Sequence, residues 1–382
     1  MIHCYSAILP ARIGKSHGVF YWSIFVLIVY FVIFVYICPE QTPTFRRPPC
    51  PPPVKPTGRD TMKDLYPRIA DAHQALRPQV AVTPLSRSPA LSALTGCEVY
   101  LKCEHLQHTG SFKFRGASNK MRLLDAASRR LGVATVSSGN HGLGVALAGK
   151  LAGVPVTVYA SAAASEVKLD AIRAHGAKVV TIDAPMLEVE LEAARRAERE
   201  GLPFVPPYND IDVIAGQGTI GMELAEQHPG LAAVFASVGG GGMISGIGAA
   251  LEAISPQTEI VGCWPRRSQA LYRSMLAGEV VEWEELDTIS DGTAGGVEPG
   301  AITLPIARRV IGRTALVDEA EIKAAMRKMA ETERWIVEGA AGVAAAGLIQ
   351  LAEHYQGKPV AVVLCGRNIK LETFLEACHA AA

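Results

Sequence analysis

The chain has no excess of either charge: 37 lysines and arginines balance 37 aspartates and glutamates over 382 residues. That removes the electrostatic argument for a nucleic-acid partner and leaves small neutral or zwitterionic ligands as the better fit. Its eight cysteines are scattered at Cys4, Cys38, Cys50, Cys97, Cys103, Cys263, Cys365 and Cys378, with no Cys-x-x-Cys pair and no accompanying histidine spacing. Neither a zinc site nor a disulfide framework is indicated, and the pattern suits a reducing compartment. There is no repeat of solenoid length. Walker-type and dinucleotide-type glycine loops are missing as well, which weakens nucleotide readings.

Long apolar runs are absent except for one. Val19 to Cys38 runs without a charge, long enough to cross a hydrocarbon core of about 30 Å. Arg12 and Lys15 precede it, whereas Arg46, Arg47, Lys55 and Arg59 follow. The excess on the C-terminal side would leave the remainder of the chain cytoplasmic. The alternative expectation is that residues 1–61, this segment plus its proline-rich linker, are an extension set ahead of a natural start at Met62, because ordinary amphipathic sequence begins there. Both readings keep the catalytic part in the cytoplasm.

From Met62 onward, a helix is predicted over residues 63–76 and a short strand over Val80 to Leu85, ending at a proline. After Val99 to Cys103, strands and helices alternate regularly: Val133 to Val136, Val154 to Tyr159 and Lys178 to Ile182 are each followed by a helical stretch, the last from Met186 to Glu200. A short strand is expected at Pro203 to Val205. A second series begins with a helix from about Gly216 to Gln227 and continues with strands at Ala233 to Val238, Glu259 to Trp264 and Pro359 to Cys365. Repeated βα units of this kind predict parallel sheets with helices on both faces. The first block would form a compact unit of about 75 residues.

Four turns carry the chemistry. Lys113 sits in Ser111-Phe112-Lys113-Phe114-Arg115-Gly116 at a strand-to-helix junction, with Ser111 as the natural N-cap. An amine in the first helical turn faces the positive end of the helix dipole, which favours its neutral, nucleophilic form, although a solvated surface lysine is the plainer reading. Ser137-Ser138-Gly139-Asn140-His141-Gly142 comes after a strand and opens a helix. Its backbone N–H groups make an anion site suited to a carboxylate; the competing reading is an ordinary turn with Asn140 as N-cap. Gly239-Gly240-Gly241-Gly242-Met243 is a second such turn. Four glycines carry a large entropic penalty that a bound phosphate would offset. Cys365-Gly366-Arg367-Asn368 lies at the C-terminal end of a buried strand, where open α/β sheets place ligand contacts. Cys365 is either a small core residue or a neutral thiol facing a ligand, and Arg367 either a surface charge or an anion contact.

In this order and at these separations the motifs resemble the serine/threonine dehydratase group of fold-type II pyridoxal-phosphate enzymes, over roughly Thr83 to Ile369. The resemblance implies a tryptophan synthase β-like fold: two parallel-sheet α/β domains with the cofactor between them. Residues 132–209 would be a small domain inserted in a larger one formed by 62–131 and 210–382. Lys113 would be the Schiff-base lysine and the base at Cα, Phe112 would lie against the cofactor, and Asn140 would bond its ring hydroxyl. Gly239, Gly240, Gly241, Gly242 and Met243 would hold the phosphate, and Cys365 would face the pyridine nitrogen. Ser137, Ser138, Gly139, Asn140 and His141 would grip the substrate carboxylate, Ser138 also occupying the position where related racemases carry a second acid/base.

The implied reaction is loss of water and ammonia from a small β-hydroxy amino acid, with racemisation or β-replacement as the neighbouring chemistries. A membrane-anchored binding protein that has kept the fold without turnover is the reading from a different class. A homo-oligomer, a dimer, is implied too. Two departures stand out. Cys263 to Ala270 contains Arg266 and Arg267 but no acid where metal-binding members place ligands, so no metal is expected. The glycine-rich Asp291 to Gly300 segment, with Glu298, looks like the branch of hydroxyectoine-utilisation dehydratases. Glu298 would contact a polar substrate group or pair with a surface arginine.

Overall fold

The computed structural model describes residues 65–184 and 186–380; Val19 to Cys38, for which a membrane span is one expectation, lies outside them. Among the described residues no helix is long and apolar enough to cross a membrane.

Nine strands form two sheets among the described residues. They are β1 Leu85–Arg87, β2 Glu98–Lys102, β3 Val133–Val136, β4 Val156–Ser161, β5 Lys178–Ile182, β6 Ala233–Ser237, β7 Glu259–Pro265, β8 Arg313–Val317 and β9 Pro359–Val363. The six-stranded sheet runs β1-β2-β9-β6-β7-β8, and the three-stranded sheet runs β3-β4-β5. Every pairing is parallel except β1 with β2. All five residues of β6 are buried, as expected of a central parallel strand covered on both faces.

Parallel pairing sends the carboxyl ends of β2, β9 and β6 the same way, so the turns after them open on one edge of the sheet, where α/β folds bind ligands. The helix Ile211–Gln227 packs against the helices that come after β2 and β6. Its Gly216 rests on the helix Lys113–Leu123, where an added Cβ would lie 2.6 Å from Gly116 Cα. On another face, a Cβ on Gly246 of the helix Gly242–Ile254 would come 2.5 Å from Ile214 O. Backbone-to-backbone contact therefore fixes the lysine helix and the glycine-loop helix against a common partner.

Those contacts explain a difference from the sequence expectation. The helix predicted from Gly216 begins five residues earlier, at Ile211, where Asp210 caps it by accepting from the N–H groups of Asp212 and Val213 at 2.9 and 3.0 Å. Its glycines are packing points within the helix and not its start. Similarly, Val80 to Pro84 is not a strand: the Gln107 side chain takes both the N–H and the carbonyl of Ala81, at 3.0 and 2.9 Å, and the strand begins at Leu85. Pro203 to Val205 contributes one bridge, Phe204 to Ala134. The edge strand β8 and the helix Thr303–Val310 are additional to those expected.

Candidate active site

Lys113 is the first residue of its helix, and Phe112, not Ser111, holds the N-cap position. Ser111 is drawn into an extended bridge with Gly366, and the Phe112 N–H donates to Cys365 O at 3.1 Å. The sheet edge thus claims the backbone that a capping serine would need, and Ser111 Oγ stays buried without a partner. One consequence is that Phe112 and Cys365 are tied together on adjacent strand ends.

The Lys113 ammonium donates to Pro207 O at 2.9 Å and lies 5.2 Å from the centroid of the Phe112 ring. Burial pulls its pKa down to about 8, with Cys365 and Glu338 acting in the opposite sense. At neutral pH a usable fraction of the amine is therefore neutral. Two neighbours bring the two glycine-containing turns to it. Gly144 lets the helix Asn140–Ala152 settle on the lysine backbone, because a Cβ there would lie 3.0 Å from Lys113 C. Tyr208, next to Pro207, fills the space beside the glycine loop: a Cβ on Gly240 would lie 2.4 Å from its ring, and one on Gly242 would lie 3.0 Å from its Cα.

The glycine loop is a cradle that side chains would fill. Gly239 backs on Thr293, and Gly241 combines a φ of +86° with a neighbour, Leu271, that would stand 2.5 Å from an added Cβ. Gly242 begins the helix, so free N–H groups point into the cradle. Thr303 Oγ1, buried and without a hydrogen-bond partner, lies 3.5 Å from the Cβ position of Gly241. A phosphate group fits such a donor set. Met243 is the second helical residue and is buried.

At the other anion turn, Gly139 is the N-cap and Asn140 the first helical residue. Ser137 Oγ accepts from the Gly139 N–H at 3.0 Å, while the Ser138 side chain has no hydrogen bond among the described residues and is partly exposed. His141 is buried, and its Nε2 lies 2.9 Å from Val205 O. A carbonyl only accepts, so Nε2 carries the hydrogen and Nδ1 is left as an acceptor. Burial, reinforced by the Lys113 charge, lowers the His141 pKa to about 3, which keeps the ring neutral.

Cys365 is 2% exposed, and its sulfur accepts from Ser237 Oγ at 3.6 Å. Burial and the Glu338 charge push the thiol above its ordinary range, so it is neutral. Arg367 is exposed, the position of a surface charge. The backbone N–H of Glu298 donates to Tyr208 Oη at 3.0 Å, and Lys168 pairs with Asp291 at 3.2 Å.

The residue that sequence reasoning missed is Glu338. It is 3% exposed, and its carboxyl accepts from Asn140 Nδ2 at 2.9 and 3.0 Å and from the Asn368 N–H at 3.1 Å. Asn368 Nδ2 donates to Asn140 Oδ1 at 2.6 Å. The available signal was a single acid between Trp335-Ile336-Val337 and a helix of glycine, alanine and valine. It stands at the N-cap of that helix but makes no capping bond with its side chain. Among the described residues no group of three or more histidine, cysteine, aspartate or glutamate side chains is arranged to hold a metal.

A four-membered ion cluster supports the lysine helix from behind. Arg115 donates to Glu104 through Nε and Nη2, both at 2.8 Å, and to Glu223 at 2.7 and 2.9 Å. Lys102 Nζ closes it on Glu223 at 2.5 Å. All four side chains are buried.

Comparison with known proteins agrees with this geometry. The family model described as pyridoxal-phosphate dependent enzyme matches residues 76–366. An L-threonine ammonia-lyase of Thermotoga maritima is 38% identical over 302 residues, covering 79% of this chain and 75% of its own. The L-threo-3-hydroxyaspartate ammonia-lyase of a Pseudomonas species is 38% identical over 292 residues, or 76% of this chain and 91% of its own. Among solved structures, the processed form of threonine deaminase isoform 2 from Solanum lycopersicum superposes with a TM-score of 0.80 at 32% identity, covering 86% of this chain and 96% of that one. The cradle at Gly239 to Gly242, the partly buried amine of Lys113 and the match over residues 76–366 have one common reading: this chain belongs to the pyridoxal-phosphate dependent enzyme family, with the fold-type II architecture.

Proposed function

We propose that this protein is an ammonia-lyase that removes water and ammonia from a small β-hydroxy amino acid and leaves a keto acid. The observation that carries the reading is the Lys113 amine: it is held on Pro207 O at 2.9 Å with a pKa lowered to about 8, between a turn suited to phosphate and a turn suited to carboxylate. Bound pyridoxal phosphate supplies an electron sink conjugated with the substrate α-carbon.

The chain's own residues do the rest. Lys113 would hold the cofactor, and its amine is the group placed to take the Cα proton, a task for which a pKa near the working pH is well matched. The backbone N–H groups of Ser138, Asn140 and His141 and the Ser137 and Ser138 hydroxyls bind and orient the substrate carboxylate at the start of the helix Asn140–Ala152, Gly139 lending its N–H to Ser137 Oγ. Gly239 to Met243 would anchor the phosphate, Phe112 would lie against the ring, and Asn140 would donate to the ring hydroxyl. Because Cys365 is a neutral thiol, it cannot balance a permanent charge on the ring nitrogen as a carboxylate would. That favours prompt departure of the β-hydroxyl. The three-stranded sheet supports a small domain, about 132–209, inserted between segments 62–131 and 210–382 of the larger one.

Threonine or serine, a hydroxyaspartate, or a hydroxyectoine-derived amino acid all meet this description. The test is a panel of L- and D-serine, L- and D-threonine, hydroxyaspartates and hydroxyectoine derivatives, assayed together for keto acid, ammonia and inverted product. Keto acid and ammonia in equal amounts are expected. Inversion without ammonia would replace the reading with racemisation.

A further inference from the structure

Glu338 is a buried carboxyl group to which the reaction above assigns no role. It is 3% exposed, yet among the described residues no lysine or arginine forms an ion pair with it. Its oxygens accept from the Asn140 amide, the Asn368 N–H and, at 3.9 Å, the Cys365 thiol. A buried carboxylate compensated by neutral donors alone is costly. The fold nevertheless makes room for it: a Cβ on Gly366 would stand 2.5 Å from Glu338 Oε1.

The consequence for Asn140 is that it cannot turn. Its Nδ2 faces the carboxylate and its Oδ1 accepts from Asn368, which is itself fixed by donating to Thr109 O at 2.8 Å. Rotating the amide by half a turn would set Oδ1 against the Glu338 oxygens and Nδ2 against a donor. One amide hydrogen can bridge both carboxylate oxygens, which frees the second for another acceptor.

We propose that Glu338 is a positioning residue for the elimination: it fixes the Asn140 amide toward the cofactor's ring hydroxyl, and its negative charge raises the proton affinity of the Lys113 nitrogen. This rests on the reading of Lys113 as the lysine that carries the cofactor. The groups that face the carboxyl are Asn140 from the helix Asn140–Ala152, and Cys365 and Asn368 from the segment after β9. Lys113 is tied to the carboxyl through its neighbour: the Phe112 N–H donates to Cys365 O at 3.1 Å, and the Cys365 thiol donates to Glu338 at 3.9 Å, so the amine stands in the field of that charge. Burial raises the Glu338 pKa to about 7; Asp291 adds to that effect, and Asn140, Asn368 and Lys168 oppose it. The charge is therefore present above neutrality.

The experiment is a pH titration of the visible absorption of the cofactor-loaded protein, comparing wild type with Glu338→Gln, which keeps an acceptor oxygen and removes the charge. The expected result is a midpoint lower by about one pH unit, a tenfold loss of proton affinity at the lysine-bound nitrogen. Superimposable curves would overturn the proposal. Should Glu338→Gln not fold, Glu338→Asp withdraws the charge by one methylene and is read in the same way: a lower midpoint supports the proposal and an unchanged one overturns it. Wild-type protein that develops no visible absorption with pyridoxal phosphate would defeat the lysine assignment instead, so the two failures are distinct.

Discussion

Arg115 offers a prediction whose size can be worked from the structure. The two carboxylates Glu104 and Glu223 are balanced by Lys102 and Arg115, and all four groups are buried. Replacing Arg115 with methionine leaves two anions and one cation. Removing one partner of a buried pair costs about 3–5 kcal/mol. An independent bound comes from protonation, since the chain can escape the unpaired charge by holding a proton on one glutamate. At pH 7, for a carboxyl with an unperturbed pKa of about 4.3, that costs about 3.7 kcal/mol; at pH 5 it falls to about 1 kcal/mol.

The sign is set by the native state. Burial works against the Glu104 charge, but the Arg115 guanidinium outweighs it and holds the carboxyl below its ordinary range. A depressed carboxylate contributes stability above its unfolded pKa and loses it as pH falls through the folded value. In Arg115→Met the glutamate is instead raised, so the variant is penalised most at neutral pH. Equilibrium urea unfolding at pH 7 and pH 5, with cofactor in equal excess for both proteins, should show a destabilisation of about 4 kcal/mol shrinking to about 1–2 kcal/mol. An equal loss at both pH values would refute the charge argument and leave only lost packing of the arginine stem.

Three further outcomes are expected. Lys113→Ala should lower ammonia release at least about 10³-fold, measured by coupled assay, while far-UV circular dichroism stays unchanged. Gly240→Ala drives a methyl into the Tyr208 ring, and overpacking of about 1–3 kcal/mol should weaken cofactor binding tenfold or more, measured by fluorescence titration. In the cofactor-free protein the rate at which Lys113 captures pyridoxal phosphate should rise from neutral pH and level off by about pH 9, as the amine loses its proton around its pKa of about 8; a rate still climbing about tenfold per pH unit beyond pH 9 would show that burial does not depress it.

The order of strands and helices and the turns that matter are written locally in this chain. Short β-branched runs such as Lys178 to Ile182 need only their own composition to be read as strands. Likewise Gly239 to Gly242 announces close backbone approach wherever it lies. Lys113 is the intermediate case, oddly placed at a helix start but interpretable only beside the two anion turns. Other features are decided by contacts between residues far apart along the chain. Ser111 loses its capping role to a bridge with Gly366. The helix at Ile211 absorbs its glycines because Gly116 and Gly246 belong to helices that press on it. Glu338 meets Asn140 across 198 residues of sequence, and Arg115 meets Glu223 across 108. A charge's worth depends on its burial and its partners, and neither is a property of the residues next to it. The sequence therefore determined where the chemistry would occur, and only the tertiary structure decided which buried charges surround it.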